Sequence, residues 1–230
     1  MVTPERFAQG MTFDQYVQFV GTPENLKREA SQGGARRDWS AALRAAYDSA
    51  HLTDAQAEAW LWLVAQPGGP AKVLVISEEW SSDCRRDVPV LARAADAAGL
   101  ELRIFPRDGQ RFSRSPRPDP AESPSADLMA QFLNEKDGQT FQSIPVAAFF
   151  TEDFQLLYRY IEYPAIYHKD RIRGVQTAPQ AGETPEQARA RGDREFATLQ
   201  GSPFFQVWAC AAVDEMLSHL YERLRVGSLA

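Results

Sequence analysis

Apolar positions recur at helical spacing through the first seventy residues: Phe13, Tyr16, Val17 and Val20 form one stripe, and Trp39, Leu43 and Tyr47 another. Thr53, in Leu52-Thr53-Asp54, offers a capping hydroxyl for a helix running to about Ala65, which the breaker Pro67-Gly68-Gly69-Pro70 closes. Trp60 and Trp62 are two residues apart and cannot share a helix face, so one of them is expected to meet a neighbouring element or a partner. The period changes at Lys72-Val73-Leu74-Val75-Ile76, a β-branched run that predicts a central strand buried on both faces. Helical spacing returns with Val88, Val90, Leu91, Ala94, Ala95 and Ala98, and Leu102-Arg103-Ile104-Phe105 predicts a second strand ending at Pro106. Such a β-α-β unit favours parallel strands with a right-handed crossover.

From Pro106 to Asp127 the chain turns to Pro, Ser, Arg and Asp without periodic apolar positions, which predicts a surface loop, more often a mobile insertion than an active-site lid. Leu128, Met129, Phe132 and Leu133 suggest a short amphipathic helix, followed by a turn at Gly138 and a strand from Val146 to Phe150. A strand from about Phe154 to Tyr160, across the turn Thr151-Glu152-Asp153, should pair antiparallel with it. Ile166 to Gln180 shows no period. Thr184-Pro185-Glu186 then reads as a helix start, and Phe204 to Leu224 carries the stripe Phe205, Trp208, Ala212, Met216 and Leu220. The pattern predicts an α/β core of about four strands, parallel at first and completed by an antiparallel hairpin, with helical additions at both ends. The expected organisation is a helical extension over 1–67, a core over 68–165 and a helical extension over 166–230 packed on it, as one structural domain.

Composition narrows the class. With 230 residues, 44% hydrophobic and 24% charged, the chain is typical of soluble globular proteins. No apolar run approaches the roughly 18 residues that cross a bilayer. The opening MVTPERFAQG has no basic leader followed by an apolar stretch, so a cytoplasmic location and no membrane association are expected. A formal charge of -6 gives no general attraction to nucleic acid. Two cysteines and three scattered histidines supply neither a disulfide framework nor a zinc site, and no metal or cofactor is expected. His51, His168 and His219 read as surface residues, Cys210 as packing within its helix, and Tyr158 and Tyr160 as strand packing.

The remaining chemistry gathers at Cys84. A helix that starts directly after a buried strand puts this thiol near the positive end of the helix dipole. Arg85 and Arg86 would lower its pKa and Asp83, Glu78 and Glu79 would raise it, so spacing leaves the sign open. A free cysteine is also among the most buried residue types, and read alone Cys84 is more often a small packing residue.

Trp80-Ser81-Ser82-Asp83-Cys84 after an apolar strand resembles the W-C-x-x-C segment of the thioredoxin superfamily, with serine at the first cysteine position. Pro89 stands where the kink-forming proline of the family's helix does, and Ser143-Ile144-Pro145 resembles the dipeptide whose proline is cis in the family. Ile104-Phe105-Pro106-Arg107-Asp108, Asp127-Leu128-Met129 and Ile161-Glu162-Tyr163-Pro164 are similar to a bacterial branch that usually reads W-C-x-D-C, in which Gln110 to Ala126 would be an insertion. The resemblance spans roughly residues 40 to 165. It implies a thioredoxin-like three-layer α/β/α core, Cys84 at the resolving position, Ser81 at that of the missing nucleophile, and substrate contacts from Trp80, Ser82, Asp83, Ile144 and Pro145. The family's buried aspartate would align with Val75.

A serine hydroxyl is not ionised near neutral pH and forms no mixed disulfide, so Ser81 can cap a helix or hydrogen-bond but cannot start dithiol turnover. The resemblance therefore implies a relative of thiol-disulfide oxidoreductases limited to monothiol chemistry at Cys84, or to none, with a protein or a small thiol or disulfide as partner. A non-catalytic peptide- or protein-binding module is the alternative, and a replacement of an original cysteine at position 81 is a third reading.

Overall fold

The computed structural model describes residues 1–226, the side chain of Gln32 excepted; 227–230, the end of the expected C-terminal extension, lie outside the described residues. Five helices come first: α1 (Pro4–Ala8), α2 (Phe13–Val20), α3 (Pro23–Leu26), α4 (Ser40–Ser49) and α5 (Asp54–Val64). Strand β1 (Lys72–Ser77), helix α6 (Ser82–Ala98) and strand β2 (Glu101–Pro106) form the expected β-α-β unit. Then follow α7 (Ala126–Met129), β3 (Asn134–Lys136), β4 (Gln139–Phe141), β5 (Val146–Phe150), β6 (Leu156–Ile161), α8 (Lys169–Thr177), α9 (Pro185–Gln200) and α10 (Pro203–Val226). Thr53 and Thr184 each form a capping box, with Gln56 and Gln187 respectively, satisfying amides that the first turn leaves without helical partners.

The main sheet has the order β2-β1-β5-β6, with β1 and β2 parallel and the β1–β5 and β5–β6 pairs antiparallel. All six residues of β1 and all five of β5 are buried, as strands covered on both faces require. Adjacent residues show the two covers. Phe149 stacks on Trp60 of α5 at 5.7 Å, and Tyr158 and Tyr160 on the same face meet α10 and α6. Phe150 points the other way, to Phe154 and through it to Phe7 of α1. Arg6 of α1 pairs with Asp127 of α7 at 2.8 Å, which puts both short helices in that second layer. The architecture is the three-layer α/β/α core with a mixed four-stranded sheet and helical additions at both ends.

Several elements depart from the pattern-based expectation. Only one turn, Ala126–Met129, is helical where Leu128 to Leu133 suggested a longer helix, because Asn134–Lys136 and Gln139–Phe141 pair across Asp137-Gly138 into a separate hairpin. Strand β6 begins at Leu156, since Phe154 has φ 61° and belongs to the turn. The unperiodic stretch 166–180 contains α8, none of whose residues is buried, so no apolar stripe marks it. The Pro/Ser-rich segment after Pro106, expected as a mobile insertion, is anchored. Gly109 N–H donates to Glu122 O at 2.8 Å, Phe112 N–H to Glu29 at 3.0 Å and Gln142 Nε2 to Ser115 O at 2.7 Å. Of the two tryptophans on α5, Trp60 is buried and Trp62 lies against Tyr221 and Arg225 of α10. Cys210, expected as packing, is only half-buried.

Candidate functional site

Strand β1 delivers the chain to Ser77, a turn through Glu78-Glu79-Trp80 follows, and Ser81 starts α6. Ser81 is the N-cap: its Oγ accepts from the amide of Cys84 at 3.4 Å, the capping geometry expected when a short polar side chain precedes a helix. Cys84 follows one turn later and is 1% exposed, facing the core. Burial pushes its thiol up to about 12; Ser77, the Glu78 backbone and Ser81 pull the other way, and Asp83 adds to the rise. Desolvation thus decides the sign that spacing left open, against the helix dipole. Such a thiol stays protonated at pH 7.

Ile144–Pro145 is a cis peptide bond. Beside it opens a groove of about 1350 Å³. Trp80, Ser81, Asp83 and Ile144 line it together; Cys84, Ser82 and Pro145 do not. Ser82 is half-buried on the first turn of α6, and Pro145 is buried with its carbonyl accepting from the Glu162 amide at 2.8 Å. One wall comes from the segment Phe112 to Pro120, within the sequence-predicted insertion, and another from Gln139 to Ile144.

Two buried charge clusters flank the start of α6, and neither stood out in the sequence. In the first, Arg28 meets Glu78 at 2.7 Å, and Arg36 reaches Glu78 at 2.6 Å and Glu79 at 2.7 Å. Asp108 completes it, with Arg107 at 2.7 Å and the Trp80 indole N–H at 3.1 Å. The Arg107 guanidinium lies 5.1 Å from the Trp80 ring and 4.8 Å from Phe112, so it carries two groove aromatics on its faces. Burial raises the pKa of Asp108 and of Glu79, with Glu78 adding to both rises and the arginines opposing them.

In the second, Arg86 bridges Asp83 at 2.8 Å and Asp87 at 2.7 Å, and Tyr160 donates to Asp87 at 2.7 Å. Lys169 at the start of α8 pairs with Asp83 and, at 3.5 Å, with Glu162. Asp83 is therefore a fully paired carboxylate at the groove floor. The one sequence signal for the first cluster was the pair Glu78-Glu79, one residue beyond the apolar run Val73 to Ile76. Among the described residues, no group of three or more His, Cys, Asp or Glu is arranged to hold a metal ion, and no helix is long and apolar enough to cross a membrane.

Comparison with known proteins bears on the fold. A family model described as thioredoxin matches residues 26–116, which include Trp80 to Cys84. A crystal structure of a protein of unknown function from Pseudomonas aeruginosa is similar at 17% identity with a TM-score of 0.53, covering 96% of this chain and 98% of that one. An HIV epitope-scaffold structure is similar at 15% identity with a TM-score of 0.56, again over 96% of this chain and 98% of that one. A search of the curated proteins finds no match. The matched segment, the sheet order and the cis-prolyl loop beside the capped start of α6 agree on a thioredoxin-like fold.

Proposed function

We propose that this protein is a thioredoxin-like binding module that holds extended polypeptide in the groove above the N-terminus of α6 and performs no dithiol exchange. One observation carries this reading: the groove keeps Trp80, Ser81 and Ile144 at its surface while Cys84, the family's remaining thiol, is 1% exposed. An attacking sulfur needs both thiolate character and access, and burial removes both. The binding half of the family's site asks for neither. A groove with aromatic walls and free backbone groups recognises an extended chain through main-chain hydrogen bonds and side-chain pockets.

Insulin reduction in the presence of dithiothreitol tests the chemistry: the expected result is no acceleration over dithiothreitol alone. Sustained turnover that disappears in Cys84→Ala would overturn the reading. Panning the full chain against displayed random peptides tests the binding, with capture expected to persist in Cys84→Ala and to fail in Trp80→Ala.

A further inference from the structure

The hairpin β3–β4 shows how a bound chain would be held. Its turn residues Asp137 and Gly138 have φ of 51° and 72°, both positive as in a type I′ turn. Lys136 and Gln139 then form the hydrogen-bonded pair that closes the turn, and the next pair, Glu135 and Thr140, directs its backbone groups away from the hairpin. The run Gln139 to Ile144 lines the groove at every residue, whereas no residue of β3 lines it. A strand that offered a face would contribute alternate residues together with those of its neighbour. Consecutive residues from one strand alone mean that β4 and its continuation border the groove edge-on.

Most of the hydrogen-bonding groups along this edge have no partner among the described residues. Among the described residues, no hydrogen bond outside the β3–β4 ladder reaches the backbone of Thr140, and none reaches the amide of Gln142 or either backbone group of Ile144. The Gln142 carbonyl is taken by Arg107 Nη1 at 3.0 Å. Thr140, Gln142 and Ile144 alternate, as the outward-facing positions of one edge must. Charge on the facing loop also selects. Of the groove cations, Arg107 pairs with Asp108, Lys169 with Asp83 and Glu162, and Arg114 with Glu29. Arg117 has no partner among the described residues, and Asp119 turns its carboxylate back to the Ala121 amide at 2.8 Å.

We infer that an extended peptide segment pairs along Thr140, Gln142 and Ile144 as a third strand of the β3–β4 sheet, with an acidic side chain set against Arg117. This rests on the binding reading above and adds to it the mode of pairing, which reaches beyond the cis-prolyl loop onto the accessory hairpin, and the charge of the ligand.

The test uses the full chain and a random dodecapeptide phage library, followed by fluorescence anisotropy of the enriched peptide. Thr140→Pro deletes one outward amide at an edge position where proline leaves the β3–β4 ladder intact, and is expected to weaken binding about tenfold; Thr140→Val, which keeps the amide, is expected to change it less than about twofold. N-methylation at alternate peptide positions is expected to weaken binding of the unaltered protein about as much as Thr140→Pro does. On binding, amide exchange should slow at Thr140, Gln142 and Ile144 more than at Phe141 and Ser143. Enriched peptides should carry Asp or Glu, and Arg117→Ala should weaken them about threefold. A peptide that binds through Trp80 but is indifferent to Thr140→Pro and to N-methylation would overturn strand pairing and leave the binding reading standing. Enrichment of basic peptides, or indifference to Arg117→Ala, would overturn the charge assignment. Failure to enrich any peptide would overturn both readings.

Discussion

The two charge clusters beside α6 use the same residue types and lock different parts of the chain with different firmness. On one side Glu78, Glu79 and Asp108 meet Arg28, Arg36 and Arg107, three carboxylates against three guanidinium groups, all at most 6% exposed. On the other side the pairing grades outward, from Asp87 and Arg86 at 1–2% side-chain exposure, through Lys169 at 19%, to Lys136 at 35%. The first cluster ties the N-terminal segment to the end of β1, where the side chains are almost wholly buried and each charge depends on its partner. The second fastens α8 to the groove by ammonium groups that water also reaches. Lone buried charges cost far more than exposed ones, so the N-terminal segment is bound into the core and the α8 end is held lightly.

The largest test of that contrast is Arg36→Ala. Its loss leaves Glu79 without a cationic partner and Glu78 with Arg28 alone, and removing one member of a buried pair costs about 3–5 kcal/mol. Urea denaturation should show a loss in that range. A loss below about 1 kcal/mol, the range of surface pairs, would mean that the cluster is hydrated in solution.

Asp87 provides the next largest effect, through pH. Burial raises its pKa from 3.8 to about 6 against the bonds from Arg86 and Tyr160. A carboxyl that binds its proton more tightly in the fold than in the unfolded chain adds stability as pH falls from about 6 towards 3.8, and that contribution is lost as pH rises back through about 6. Asp87→Asn cannot titrate, so the stability gap between the native chain and this variant should widen by about 2 kcal/mol between pH 7 and 4.5, measured by urea denaturation at each pH. A gap independent of pH would show that the Arg86 and Tyr160 bonds hold the carboxylate as readily ionised as an exposed one.

The same contrast explains which parts of the molecule were readable from the sequence. The β1-α6-β2 unit and the final helix were plain because burial there falls mostly on apolar residues, whose period changes from strand to helix at Ser81 and recurs along Trp208, Ala212, Met216 and Leu220. The motif around Cys84 located the start of α6, but burial, which no motif encodes, set the thiol's ionisation. Both clusters were opaque, since a buried arginine is written like a solvated one and partners such as Arg36 and Glu78 are 42 residues apart. Strands β3 and β4 are three residues each and Phe141 is their one apolar side chain, so no alternation betrays them. The Asp137-Gly138 pair was the available signal for that hairpin, because both positions of its turn require positive φ.

The smallest effect belongs to the lightly held side. Lys169→Ala removes a half-buried ammonium from Asp83, but Asp83 keeps Arg86 at 2.8 Å, so no buried carboxylate is stranded. The expected global loss is about 1 kcal/mol, between that of an exposed pair and that of a buried one. Its local signature should be larger than its global one. Helix α8 has no buried residue, and Arg173 joins it to α9 through the Gly192 carbonyl at 2.6 Å and Asp193 at 2.5 Å. Without Lys169 the start of α8 retains Asp170, which Lys136 and Tyr163 hold from the solvent side at 3.1 Å and 2.8 Å. Amide exchange in 169–177 should therefore quicken while exchange in β1 and α6 stays as it was, because segments with few buried contacts open independently of the core. Equal acceleration in α6 would show instead that Lys169 stabilises the buried cluster itself, and the two sides of the site would then be one unit.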